Sequence, residues 1–370
     1  MPRPVANAIR AHIDLEERIG GYEAAAIRSS EIDETYSRLA RLINASPRNI
    51  AIVANATSGF VQSMSSFDFA AGDAIVTTRS DYTSYQIHFL ALSQRLGVRI
   101  LHAEDLPEGG VDPDSVRDIL RRERCRLVHL SWIPTHSGLV QDAEAVGQIC
   151  EEEGVPYLVD ACQAIGQMPV DAEKLRCDYL SVTARKFLRG PRGIGFMFAS
   201  DRALRRGDFP LVIDMRGARW TTEEAFEIAD TAQRYEDWES PYALVLGLSE
   251  AAEYAADVTI ATAYERSWAL ARRLRDGIAD IDGIRELDRG GKKCAIVTLS
   301  VDAVKSETVV DLLSRRGINA SVSQRWYGML DFTPRGIESA VRLSPHYYNS
   351  DEEIDTALDA LRSIAREAIS

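Results

Sequence analysis

The sequence predicts an α/β protein in which a large domain with a mainly parallel sheet is followed by a smaller C-terminal α+β domain. Three observations predict this. From residue 50 to residue 200 short apolar runs alternate with helical patterns, the order that builds a parallel sheet wrapped by helices. Two of those runs, Val155-Pro156-Tyr157-Leu158-Val159-Asp160 and Cys177-Asp178-Tyr179-Leu180-Ser181-Val182, bring a carboxylate and, just beyond, Lys186 to one edge of that sheet. After Trp238 the texture changes: a helical stretch from 240 to 279 leads to the single apolar run Cys294-Ala295-Ile296-Val297-Thr298-Leu299-Ser300. The divide is expected near residue 245, giving domains 1–245 and 246–370.

In chain order, helical spacing of apolar residues predicts helices near 4–19 and 30–43. The strand-like runs of the large domain fall near 50–54, 74–78, 98–102, 126–131, 155–160, 178–182 and 194–199. Helical patterns near 57–66, 83–96, 112–124 and 142–153 lie between them. The second domain is expected to contain helices over 240–256, 260–279, 306–316 and 351–368, with strands at 295–301 and 318–322. An arginine inside the apolar pattern Val341-Arg342-Leu343 marks another strand.

With 370 residues, 45% of them hydrophobic and 27% charged, the composition is that of a soluble globular protein with a large core. A net charge of −13 argues against nucleic acid, whose phosphates select basic surfaces. The five cysteines (Cys125, Cys150, Cys162, Cys177 and Cys294) are scattered and lack CxxC spacing. Reduced thiols in a cytoplasmic protein are expected, without a disulfide framework or a metal site. Neither the N-terminus nor any internal window reads as a signal core or membrane span.

A carboxylate and a lysine at one sheet edge suit pyridoxal phosphate (PLP). The lysine amine forms a Schiff base with the aldehyde, and the carboxylate keeps the pyridine nitrogen protonated. Asp160 and Lys186 are therefore the candidate catalytic pair. Asn55-Ala56-Thr57-Ser58-Gly59 opens a helix after a strand, where free amides and the Thr57 and Ser58 hydroxyls make an anion site; a plain helix cap at Asn55 is the alternative. Tyr82 follows another strand and can lie on a cofactor ring, or simply pack. Thr135 and His136 stand on a post-strand loop and can donate to cofactor or substrate. Arg189-Gly190-Pro191-Arg192-Gly193 is a glycine-rich turn whose arginines can face an anion; a plain turn with surface arginines is the alternative. Arg342 needs a partner, either a substrate carboxylate or an internal acid.

In this order, the segments resemble the class V aminotransferase group of fold-type I PLP enzymes. They look closest to the branch holding cysteine desulfurases, isopenicillin N epimerase-like proteins and ergothioneine-pathway C–S lyases. The most specific matches are Asp160-Ala161-Cys162-Gln163-Ala164, Thr183-Ala184-Arg185-Lys186 and Gly190-Pro191-Arg192-Gly193-Ile194-Gly195. The resemblance implies that Lys186 is the Schiff-base lysine and Asp160 the partner of the ring nitrogen. It places Gln163 beside the ring hydroxyl and Tyr82 against the ring. Thr57, Ser58, Thr183 and Arg185 become phosphate contacts, and Arg342 the grip on the substrate carboxylate. It further implies a homodimer with shared active sites, in which Ser240 of the Arg234–Pro241 stretch reaches the neighbour's phosphate.

Two departures from the family pattern narrow the reaction. Desulfurases carry a mobile sulfur-accepting cysteine in a loop before the carboxylate arginine, whereas residues 318–326 contain none. The family's usual first strand is also missing, because Pro2-Arg3-Pro4-Val5 runs straight into the first helix; another segment fills its role or the start was assigned late. The expected function is PLP-dependent β-elimination from a cysteine derivative. Epimerisation or transamination of an amino acid, or PLP binding without turnover, are the alternatives.

Overall fold

The computed structural model describes residues 1–369. Its central sheet has seven strands: β1 (Ile50–Val53), β2 (Ala74–Thr77), β3 (Arg99–His102), β4 (Cys125–Ser131), β5 (Tyr157–Asp160), β6 (Tyr179–Thr183) and β7 (Gly195–Ala199). They lie in the order β1-β7-β6-β5-β4-β2-β3. Only β7 runs against its neighbours; the β6–β5–β4–β2–β3 pairs are parallel. Parallel strands need crossover helices, which cover both faces, and β5 and β7 are accordingly buried along their whole length.

The helices before and between these strands are α1 (Arg3–Ile19), α2 (Gly21–Ile27), α3 (Ser29–Leu42), α4 (Ala56–Met64), α5 (Thr83–Leu96), α6 (Pro113–Arg122), α7 (Ala143–Glu153) and α8 (Ala172–Leu175). After β7 come α9 (Asp201–Arg206) and a separate hairpin, β8 (Ala218–Thr222) with β9 (Ala225–Ile228). The hairpin escapes sequence reading because both of its faces stand in solvent, so no apolar alternation marks it.

The C-terminal half comprises α10 (Tyr242–Val258), α11 (Ile260–Ala279), β10 (Ile284–Glu286), β11 (Val297–Val301), α12 (Ser306–Arg315), β12 (Ser321–Gln324), α13 (Met329–Phe332), β13 (Ser339–Leu343) and α14 (Asp351–Ile369). Its four-stranded antiparallel sheet has the order β10-β11-β13-β12. The divide expected at residue 245 falls inside α10, a helix that packs on α1 and α3 of the large domain. The chain turns directly after that helix. Thr259, at φ 64°, turns it from α10 into α11, and its hydroxyl accepts the backbone N–H of Thr262 at 3.2 Å. The strand expected at 318–322 starts at Ser321 because residues 316–318 close the preceding helix: Gly317 donates to Ser314 O and Ile318 to Leu313 O. A single buried apolar cluster runs through both domains, from Val182 in the central sheet to Leu274 and Leu361 beneath the small one.

Candidate active site

Strands β2, β4, β5 and β6 run in one direction, so the residues that end them share an edge, where open α/β sheets bind ligands. Register sets Asp160 between Ser131 and Ser181 on neighbouring strands. Asp160 is buried; the Cys162 backbone N–H donates to its Oδ1 at 2.8 Å, and the Ser131 hydroxyl approaches Oδ2 at 3.4 Å. Lys186 lies three residues past the end of β6, half-buried, with Nζ 5.7 Å from the centre of the Tyr82 ring. Loss of hydration pushes the Lys186 amine below its ordinary range; Cys162 and Asp160 pull it back, and the Arg342 and Arg185 charges push it further down. A neutral amine, the nucleophilic form, is thereby favoured.

Tyr82 is held from below. Its backbone N–H donates to Ser131 Oγ at 3.0 Å, and its ring meets Tyr85 edge-on at 5.5 Å. Ser131 is fixed in turn by Asp81, whose Oδ1 accepts the Ser131 N–H at 2.5 Å. The other carboxylate oxygen accepts from Thr77, from the Thr78 N–H at 3.0 Å and from His129 Nδ1 at 3.0 Å. Burial opposes a charge on Asp81, yet His129 and these bonds hold the carboxyl below its usual range. Asp81 and Ser131 thus tie the aromatic to Asp160. Sequence reading passed over both, because their partnership spans 50 residues and appears only when β2 pairs with β4.

A second chain of contacts joins the two domains. Gln163 Nε2 donates to Thr135 Oγ1 at 3.0 Å, and Arg342 Nη1 donates to Thr135 O at 2.7 Å. Arg342 Nε also reaches Ser344 Oγ at 3.2 Å. No carboxylate of the described residues forms an ion pair with Arg342, which leaves its internal-acid alternative without a partner. Gln163 Oε1 is buried with nothing to bond it, an acceptor waiting for a donor.

The remaining candidates range from enclosed to exposed. Thr57 and Ser58 stand half-buried at the start of α4, and the Asn55 side chain accepts the Ser58 N–H at 3.0 Å, so the helix is capped as well as open. Thr183 ends β6, half-buried, and Arg185 is exposed. Ser240 is half-buried just before α10, its carbonyl accepting the Tyr242 N–H at 3.0 Å. His136 is enclosed, its ring edge-on to Phe332 at 5.1 Å and Nε2 3.4 Å from Asp331. Arg189 lies over Tyr348 at 4.4 Å and donates to Tyr347 OH at 2.8 Å.

Residues 13–357 match the family model described as Aminotransferase class-V. A probable cysteine desulfurase of Methanothermobacter thermautotrophicus is 26% identical over 377 aligned residues, covering 98% of this chain and 92% of that protein. Among solved structures, the apo cysteine desulfurase of Thermococcus onnurineus NA1 superposes with a TM-score of 0.90 at 22% identity, covering 99% of this chain and 92% of that one. The cystine C–S lyase C-DES, in complex with its reaction product cysteine persulfide, superposes with a TM-score of 0.87 at 22% identity, covering 98% and 94%. At such identity the two structures establish a shared fold.

Proposed function

Because the chain belongs to the class-V aminotransferase family, we propose that this PLP-dependent enzyme is a C–S lyase, eliminating the β-sulfur substituent of a cysteine derivative through Lys186. The residues at the sheet edge fit the cofactor: a buried carboxylate, a lysine depleted of hydration, an aromatic face and an unpartnered amide oxygen converge there. When bound, PLP supplies an aldehyde for the amine and a ring that takes up electrons from the substrate's Cα. Asp160 would hold a proton on the ring nitrogen, Gln163 would bond the ring hydroxyl, and Tyr82 would cover the ring. Thr57, Ser58, Thr183 and Arg185 would hold the phosphate, joined by Ser240 of a second copy in a homodimer. Arg342 would receive the substrate carboxylate, with His136, on the same loop as Thr135, as a second substrate contact. Lys186 Nζ would accept the Cα proton and pass it to the departing β-sulfur, which would leave as a thiol.

The observation that carries elimination over persulfide transfer is the state of the cysteines. Segment 318–327, between α12 and α13, contains no thiol and presents Trp326 instead. Four of the five cysteines are buried. Burial pushes Cys294 up to about 12 and the half-buried Cys125 up to about 11, while Cys150, Cys162 and Cys177 rise further. None is a thiolate able to attack sulfur at neutral pH. The similarity to a C–S lyase and to desulfurases supports sulfur chemistry at the substrate's β-carbon.

A panel of cysteine, cystine, S-alkyl cysteines and ordinary amino acids, scored by product, tests the reading. Pyruvate and ammonia from the sulfur compounds are expected. A keto acid retaining its side chain, an inverted amino acid, or a spectral change without product would replace lyase by aminotransferase, epimerase or non-catalytic binder respectively.

A further inference from the structure

The peptide that follows Lys186 is gripped by side chains with no part in the chemistry above. His346 lies at the end of the segment that β13 leads into, four residues after Arg342. Its Nε2 is 3.1 Å from the carbonyl oxygen of Phe187, the residue next to the lysine. A carbonyl only accepts, so Nε2 carries the proton. The Tyr347 N–H donates to Nδ1 at 3.0 Å, which fixes the same tautomer from the other side. The imidazole is sandwiched between the Phe187 ring at 5.3 Å and the Tyr348 ring at 4.8 Å, nearly parallel to both.

Arg189 completes the grip. It adopts φ 62°, a left-handed backbone that costs an L-residue energy and is usually left to glycine. Its guanidinium stacks on Tyr348 and bonds Tyr347, so the contact holding this strained turn comes from the same three-residue stretch. On the opposite side the turn that follows Gln163 closes in. Gly166 has φ 86°, and a Cβ there would lie 2.4 Å from the Phe187 carbonyl carbon. The lysine's peptide is thus wedged between the Asp160–Gln163 turn and the small domain.

We propose that His346 is a positioning residue for Lys186, acting through its hydrogen bond to the Phe187 carbonyl and holding the amine in register with Arg342. The inference rests on the reading that Lys186 carries the cofactor. One short segment, 342–348, thereby sets both the carboxylate grip and the placement of the reacting amine, so that substrate amine and carboxylate meet their partners together.

The test uses the PLP-loaded enzyme and two substitutions. His346→Leu removes the donor; His346→Gln keeps an N–H that can reach the Phe187 carbonyl. Borohydride reduction and peptide mapping of the wild type come first. Label on a lysine other than Lys186 would overturn the underlying reading and this inference with it. With Lys186 labelled, the Leu variant is expected to slow the substrate-induced change of the visible band by about 10- to 100-fold at saturating amino acid, the scale of a misplaced reacting group. KM should stay within about twofold, since Arg342 is untouched. Hydrogen exchange of the 184–190 peptide should speed up in the Leu variant, and the Gln variant should recover both signals. A Leu variant with wild-type rate and exchange, equal losses in Leu and Gln, or a change confined to KM would overturn the proposal. Should the Leu variant fail to fold, Arg189→Gly, which removes the strain and the stacking together, is read by the same two signals and the same criteria.

Discussion

Replacing Arg342 by lysine separates charge from geometry at the proposed carboxylate grip. In the structure Arg342 spends Nη1 on the Thr135 carbonyl at 2.7 Å and Nε on the Ser344 hydroxyl at 3.2 Å. Nη2 and the second Nη1 hydrogen remain for the two oxygens of a carboxylate. A lysine keeps the positive charge but offers one nitrogen, which cannot hold Thr135 and both carboxylate oxygens at once. The expected loss is one charge-assisted hydrogen bond, about 1.5–3 kcal/mol, or roughly 10- to 150-fold in substrate affinity. The assay is a titration of the cofactor's visible band with an amino-acid substrate and, in parallel, with an amine of the same length lacking the α-carboxylate. Arg342→Lys should weaken the first and leave the second unchanged. Equal weakening of both, or loss of cofactor, would show that Arg342 acts by bracing the domain contact through Thr135, and the grip assigned to it would fall.

Three further outcomes follow from the same geometry. Asp160→Asn preserves the acceptor for the Cys162 N–H but cannot stabilise a protonated ring nitrogen. Turnover should fall about 10²-fold or more with cofactor still bound, as when one strong electrostatic contact is removed; wild-type turnover would refute the role. Exchanging the five cysteines for Ser or Ala should leave elimination intact, with no protein-bound persulfide detectable by mass spectrometry during turnover; a trapped persulfide whose removal stops the reaction would restore a desulfurase. His346 should make the fold acid-sensitive. Burial, with the nearby Arg189 and N-terminal charges, lowers it from 6.5 to about 4, while its bond to the Phe187 carbonyl opposes the shift. The neighbouring Tyr347, whose hydroxyl burial pushes up, stays neutral through this window. The unfolded chain takes up that proton below about pH 6.5 and the folded chain resists until about 4, so stability falls through this window by up to about 3 kcal/mol. Urea unfolding at pH 7 and pH 4.5 should show a smaller drop for His346→Gln than for the wild type, and equal drops would exclude the effect.

What could be read in advance has a common physical character. Asp160, Lys186 and Arg342 each stand at the end of, or within, an apolar run, and a charge so placed must be paid for by a partner or a function. Local sequence shows that conflict directly. The strands and helices of the large domain are legible for a related reason: strands buried on both faces are continuous apolar runs, while the solvent-exposed hairpin at 218–228 has no such signature. By contrast, Asp81, Ser131 and His346 look like ordinary loop or strand residues until the fold supplies their partners. Asp81 meets Ser131 only through the β2–β4 pairing, and His346 meets Phe187 across 159 residues of chain. Arg189 was open to two readings for the same reason: near glycines it can be an anion contact or a plain surface arginine, and nothing local reveals the three tyrosines around it.

These supporting contacts also bear on how the two domains can move. Asp288, between β10 and β11, accepts the Gly138 N–H at 2.7 Å and the Ser137 hydroxyl at 3.3 Å, and pairs with Arg275 at 3.1 Å. A Cβ at Gly138 would sit 2.1 Å from the Ile296 carbonyl, so the large-domain loop is pressed against the small sheet with no room to spare. That loop carries Thr135, which holds Gln163 on one side and Arg342 on the other. Opening the domains by a hinge at Thr259 would therefore have to break the buried Asp288 bonds, each expensive to leave unmade. Segment 325–331, where Trp326 and Met329 are exposed, is held to the large domain by the Thr83 hydroxyl, which donates to the Trp326 carbonyl at 2.9 Å, and by Asp331, 3.4 Å from His136.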